Sequence, residues 1–161
     1  VGAVLAAILI GPAGACLAVT VALLIQALLF GDGGITAFAA NCFNMAFIMP
    51  FCGYYIYKFL VNRVIKGKHV LASGVAAYLG LNLAALFTAL EFGIQPLLHK
   101  TIEGNAVYCP YGLNVSVPVM MFEHLLFFGI VEAIVTGGVI LYLKKQKSDL
   151  FLKESGNETA K

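Results

Sequence analysis

Charged residues divide this chain into long apolar runs joined by short polar stretches. Residues 1–10 are uncharged and end at Gly11-Pro12-Ala13-Gly14, a sequence that interrupts a helix. Ala13 to Phe30 supplies 18 more uncharged residues, with Gln26 the only strongly polar one. A Gly31-Asp32-Gly33-Gly34 corner follows, and Gly33 to Tyr57 is a run of 25 uncharged residues. At ~1.5 Å per residue, a helix of that length reaches about 37 Å, enough to cross roughly 30 Å of hydrocarbon with some tilt. Lys58, Arg63, Lys66 and Lys68 close the run, and Val70 to Leu90 adds 21 uncharged residues. A polar connection from Glu91 to Gly112 leads to the last apolar stretch, Pro118 to Leu143, which Lys144, Lys145 and Lys147 terminate.

The pattern predicts an all-α, polytopic transmembrane helix bundle. It has about four full spans, preceded by the end of a truncated helix at residues 1–10. Ten helical residues cover only ~15 Å, half a bilayer, so a short re-entrant segment is the alternative for that first piece. Residues 1–147 form the transmembrane domain, and residues 148–161 are a polar tail whose composition predicts disorder. Pro50 cannot donate to the carbonyl of Ala46, so a kink is expected in the second span.

Composition reinforces this reading. Hydrophobic residues make up 61% of the chain and charged ones 11%, against roughly 25% charged in soluble domains. Mean hydropathy is +0.93. A formal charge of +2 is too small to suggest nucleic acid as a partner. The placement of the cations says more than their sum. Both short basic clusters, Lys58–Lys68 and Lys144–Lys147, follow even-numbered spans, so the positive-inside rule puts both on the cytoplasmic side of a plasma membrane. The carboxy terminus is then cytoplasmic, while Asp32 and the Glu91–Gly112 connection face outward.

The few polar residues within the apolar runs are the candidate chemistry. Asn41 and Asn44 are three apart, which places them on one face of an α-helix, either bonded to neighbouring helices or walling a solute. Glu132 lies close to the midplane of the last span, where a carboxylate marks a pathway, a relay or a buried pair. Thr136, one turn further on, is a candidate partner. His124 is either a structural hydrogen-bonding residue or an imidazole available to a metal. Cys42, Met45, Met49 and Cys52 fall at helical spacing, and such soft sulfur suits Cu(I), although Met and Cys also serve as ordinary packing residues. The four cysteines show no CxxC spacing, which argues against a zinc knot or a disulfide framework. No Walker A loop, HExxH pair or nucleophile motif occurs, so an enzyme is not expected.

The segments Leu29-Phe-Gly-Asp-Gly-Gly-Ile-Thr-Ala37 and Ala40-Asn-Cys-Phe-Asn-Met45 resemble the signature of the cobalt/nickel transport proteins CbiM and NikM. The resemblance continues through Glu91-Phe-Gly-Ile-Gln-Pro96, Tyr108-Cys-Pro-Tyr111, His124-Leu-Leu126 and Val131-Glu-Ala-Ile-Val-Thr136. The Gln-Pro and Tyr-x-Pro-Tyr elements are more similar to the nickel-type branch. Ala39 stands where the family typically has Gly.

This resemblance implies the membrane substrate-capture component of an ATP-driven, energy-coupling-factor importer. Co²⁺ or Ni²⁺ is its transported substrate, and neither is bound as a cofactor. In the cobalt branch the metal feeds cobalamin synthesis. The implied partners are a transmembrane coupling subunit, cytoplasmic ATPase subunits and, in many systems, a small accessory membrane protein. The family's nitrogen ligands, a Met-His amino terminus and a further histidine, lie upstream of the segment matching Val1. Asn41, Asn44, His124 and Glu132 then have supporting or helix-bracing roles. Two other classes fit the residues: a binding component for a different small solute, and an accessory membrane protein with no ion site.

Overall fold

A computed structural model describes residues 2–31 and 33–146. Five helical rods account for nearly all of them: α1 (Ala3–Ile10), α2 (Pro12–Phe30), α3 (residues 38–64), α4 (His69–Leu98) and α5 (Leu113–Lys145). No strand forms among the described residues; a single bridge pairs Lys100 with Ala106. Each break has a local cause. Gly11, at φ 83°, ends α1, and Pro12 opens α2 at the first helical position, where a missing N–H costs nothing. Asp32 and the tail 148–161 lie outside the described residues.

The helix α4 is the hub, packing on α5, α3 and α1. Half of its most apolar stretch is buried, against 17% for α2 and 28% for α5. Its buried side chains are mostly small: Ala72, Ser73, Ala76, Ala77, Gly80, Ala84, Ala85, Ala89 and Gly93. In hydrocarbon there is no hydrophobic drive to bring apolar helices together, and close backbone contact through small residues replaces it. The three-way crossing of α1, α3 and α4 shows this at Gly53. A Cβ there would run into both methyl groups of Val4, a fully buried, β-branched side chain with little freedom to move. Polar side chains within α4 turn back on their own helix. Ser73 donates to the Val70 carbonyl, Asn82 to Tyr78 and Thr88 to Ala84, at 2.8–3.0 Å.

The structure departs from the sequence-based reading in three places. By length and composition, α2, α4 and α5 can cross a membrane, and α3 is not among them. Apolar content alone sets α3 apart: at residues 38–64 it still runs alongside α4, so four long rods follow α1. The reason lies in the residues of α3: Asn41, Asn44, Tyr54, Tyr55, Tyr57 and Lys58 dilute its apolar run. Two of these polar groups are instead used against α4. Asn44 Nδ2 donates to Glu91 Oε2 at 2.7 Å near one end of the pair, and the Tyr57 hydroxyl meets His69 Nδ1 at 2.8 Å near the other.

Second, the irregularity expected at Pro50 takes the form of a π-helical stretch, Cys42–Ile48, immediately before it. Its wider hydrogen bonding ends with Met49 N–H on the Asn44 carbonyl. Third, α4 does not end at Leu90. It runs through Glu91 and Pro96 to Leu98, which shortens the polar connection to residues 99–112. The first turns of α5 hold this extension: Ser116 Oγ donates to the Ala89 carbonyl at 2.9 Å, and Gly93 lies against Leu113.

Candidate functional site

The polar residues singled out in α3 sit at the end of the bundle that carries the 99–112 connection. There α2 finishes in a π-helical turn, Gln26–Phe30, which Gly31 closes at φ 68°. The chain then folds back over α3. Gly33, at φ 71°, comes so close to the Asn41 amide that a Cβ would overlap Nδ2. Both its backbone conformation and this contact favour glycine. Between α2 and α3 is a cavity of about 400 Å³. Gln26, Asn41 and Met45 line it with Gly33, and Val19 and Leu23 of α2 form its apolar wall. It is a small space with two amides and a thioether facing a hydrocarbon surface.

Asn44 serves a different neighbour. It is 2% exposed, and its amide is directed at α4, where it donates to Glu91. The wider π-helical turn rotates positions three apart further from each other than an α-helix does. Asn41 and Asn44 therefore divide their contacts between the α2-facing cavity and the α3–α4 contact. Asn44 Oδ1 is buried with no hydrogen-bond partner among the described residues.

Glu132 is 6% exposed in the middle of α5, and its Oε1 accepts the backbone N–H of Gly2 at 2.8 Å. It therefore ties the start of α1 to α5. Thr136, one turn away, is fully buried, and its hydroxyl has no hydrogen-bond partner among the described residues. His124 is half-buried; its Nδ1 lies 2.9 Å from the Met120 carbonyl and its ring 5.2 Å from that of Phe128. These contacts are structural ones within its own helix, at the head of the π-helical stretch His124–Phe128.

The structure brings the four candidates into no single cluster. Asn41 faces the cavity, Asn44 and Glu91 form a pair, Glu132 anchors α1, and His124 bonds locally. Among the described residues, no group of three or more His, Cys, Asp or Glu side chains is placed to hold a metal ion. The sulfur stripe also divides: Met49 is fully buried in the core, whereas Met45 lines the cavity.

Glu91, Gln26 and Gly33 are additions to the candidate set. Glu91 was legible as the first residue of the Glu-Phe-Gly-Ile-Gln-Pro segment, but its partner was not. Within the 99–112 connection, Thr101 N–H donates to the Asn105 carbonyl and Val107 N–H to that of His99, and the rings of His99 and Tyr108 meet edge-on at 5.3 Å.

Comparison with known proteins places this geometry among relatives. Residues 1–150 match the family described as CbiM, the cobalt uptake substrate-specific transmembrane region. The fused nickel transport protein NikMN of Rhodobacter capsulatus is 46% identical over 148 residues, covering 91% of this chain and 43% of that protein. The cobalt transport protein CbiM of Geobacter sulfurreducens is 31% identical over 152 residues, covering 94% of this chain and 41% of that protein. The chain thus spans less than half the length of these two relatives. A crystal structure of a transition metal transporter superposes with a TM-score of 0.88 at 50% identity, covering all of this chain and 70% of that one.

Proposed function

The chain belongs to the CbiM family, and from that membership we propose that it is the membrane substrate-capture component of an ATP-driven importer of Co²⁺ or Ni²⁺. The observation that carries this reading is the family match over residues 1–150. The names of the nickel and cobalt transport relatives support both metals as substrate.

The chain has no nucleotide-binding loop. The resemblance assigns ATP hydrolysis to separate cytoplasmic subunits, linked through a transmembrane coupling subunit and, in many systems of the family, aided by a small accessory membrane protein. Nitrogen ligands suit both ions, and selectivity against Cu²⁺ has to come from geometry, because raw affinity favours copper. In the family that the sequence resembles, such nitrogens come from a Met-His amino terminus and a further histidine. The residues described above support them: Gly33, Asn41 and Gln26 shape the cavity at the α2–α3 end, and the Asn44–Glu91 pair fixes the π-helical stretch beside it.

The decisive experiment is uptake of radioactive Ni²⁺ and Co²⁺ by cells expressing the full-length protein with its transporter subunits. Accumulation that depends on this chain and on ATP is the expected result. Uptake of neither ion, with uptake of an organic solute instead, would reassign the substrate class. No transport of any kind would make the chain an accessory protein.

The orientation is part of the same proposal. With both lysine clusters cytoplasmic, an impermeant maleimide added outside is expected to label Cys109 in the 99–112 connection and to miss a cysteine introduced by Lys66→Cys. The opposite labelling pattern reverses the topology.

A further inference from the structure

We propose that the open groove between α4 and α5 binds an anionic phospholipid, with an acyl chain over Gly74, Gly137 and Gly138 and the phosphate between Lys68 and Lys144. This is a second site, at the opposite end of α4 from the Asn44–Glu91 pair, and it is independent of the metal reading.

The groove has a volume of about 620 Å³. Its floor exists because α4 and α5 cross on glycine: a Cβ at Gly74 would stand 3.1 Å from the Ala133 carbonyl oxygen, and one at Gly137 would stand 3.4 Å from that of Val70. Beside this crossing Gly138 is exposed, with nothing within 4 Å of the position its Cβ would take. The result is a trough of bare backbone, walled by Leu71, Val75 and Ile134.

The mouth of the trough is chemically different from its floor. Lys68 immediately precedes α4, and Lys144 stands in the last turn of α5, so the antiparallel arrangement puts both ammonium groups at one end. Both lysines are exposed, and among the described residues none that lines the groove is acidic. His69 belongs to the wall there, with its Nδ1 held at 2.8 Å from the Tyr57 hydroxyl.

An apolar trough that ends in two cations complements a molecule with a hydrocarbon body and one anionic end. Basic pockets between transmembrane helices recognise acidic lipid headgroups in this way. A neutral lipid would fill the trough and leave the lysines without a counter-charge, while a soluble phosphate would use the lysines and leave the trough empty.

The test is native mass spectrometry of the purified full-length protein with added dioleoyl-phosphatidylglycerol, dioleoyl-phosphatidylcholine or glycerol phosphate. Phosphatidylglycerol is expected to be retained in preference to phosphatidylcholine, with no competition from glycerol phosphate. Lys68→Gln combined with Lys144→Gln should weaken retention by about ten- to thirtyfold. Gly138→Leu fills the trough without meeting a neighbour, so it should abolish retention while leaving the melting temperature unchanged.

Equal retention of the two lipids, or full retention by the Gly138→Leu variant, overturns the proposal. Displacement by glycerol phosphate would assign the lysines to a soluble anion. Displacement of the lipid by a co-purified transporter subunit would assign the groove to a protein helix. Either displacement also overturns it.

Discussion

Asn44→Asp is expected to destabilise the full-length protein by about 2–4 kcal/mol, measured as a loss of thermal or denaturant stability in detergent at neutral pH. The substitution changes almost no volume. It replaces the Nδ2 donor, 2.7 Å from Glu91 Oε2, with an oxygen that cannot donate when ionised. Two like charges about 4 Å apart repel by roughly 4 kcal/mol at an effective dielectric of 20. Asn44 is 2% exposed, whereas Glu91 is only half-buried, so water screens part of the repulsion. Asn44→Leu is a weaker test, because it also removes an amide oxygen that has no partner among the described residues. The informative partner change is Glu91→Gln. Combined with Asn44→Asp it puts a donor back across the same gap, and it should recover most of the lost stability. If Asn44→Asp alone behaves like wild type, the contact between α3 and α4 does not depend on this hydrogen bond. If the combination is no better than the single change, the loss has another origin. The cycle of four proteins measures the coupling directly.

This pair also shows how far the sequence could be read. The apolar runs that became α2, α4 and α5 were legible because charge is costly in hydrocarbon and absent from long stretches of the chain. The same logic placed the end of the third run at Glu91, the first carboxylate. It failed there because a buried amide seven residues into α3 was waiting across the contact: Asn44 satisfies Glu91, and the helix continues to Leu98. Hydropathy records the cost of a polar group but not its partner. The π-helical stretches Gln26–Phe30, Cys42–Ile48, Leu60–Val64 and His124–Phe128 were illegible for a related reason. They are changes in backbone hydrogen-bond register, and the apolar periodicity over so few residues is too coarse to register one extra residue per turn. Asn41 and Asn44 were legible as the amides of that segment, yet the cavity beside Asn41 needed the Gln26 turn and the Gly33 backbone, which only the folded chain brings together.

Glu132 is the remaining polar residue with a large expected effect, and two substitutions separate its possible roles. Its Oε1 accepts the Gly2 N–H at 2.8 Å in a region where Glu132 is 6% exposed and Thr136 is fully buried. Glu132→Gln keeps the length and an acceptor oxygen, so a bracing role predicts near-normal stability. Glu132→Leu leaves the Gly2 amide without its acceptor and puts the Thr136 hydroxyl beside a wholly apolar neighbour. An unsatisfied buried group costs about 1–3 kcal/mol, and the loss should appear as a lower melting temperature of the full-length protein in detergent. Because α1 packs on α2 and α3, loosening its attachment to α5 should also lower recovery of the intact transporter when its subunits are co-purified. Stability retained in Glu132→Gln but lost in Glu132→Leu identifies Glu132 as a hydrogen-bonding brace. Unchanged stability in both variants, with metal uptake lost in both, would place the residue in the transport step instead. Wild-type behaviour of Glu132→Leu in stability, co-purification and uptake would remove Glu132 from both roles.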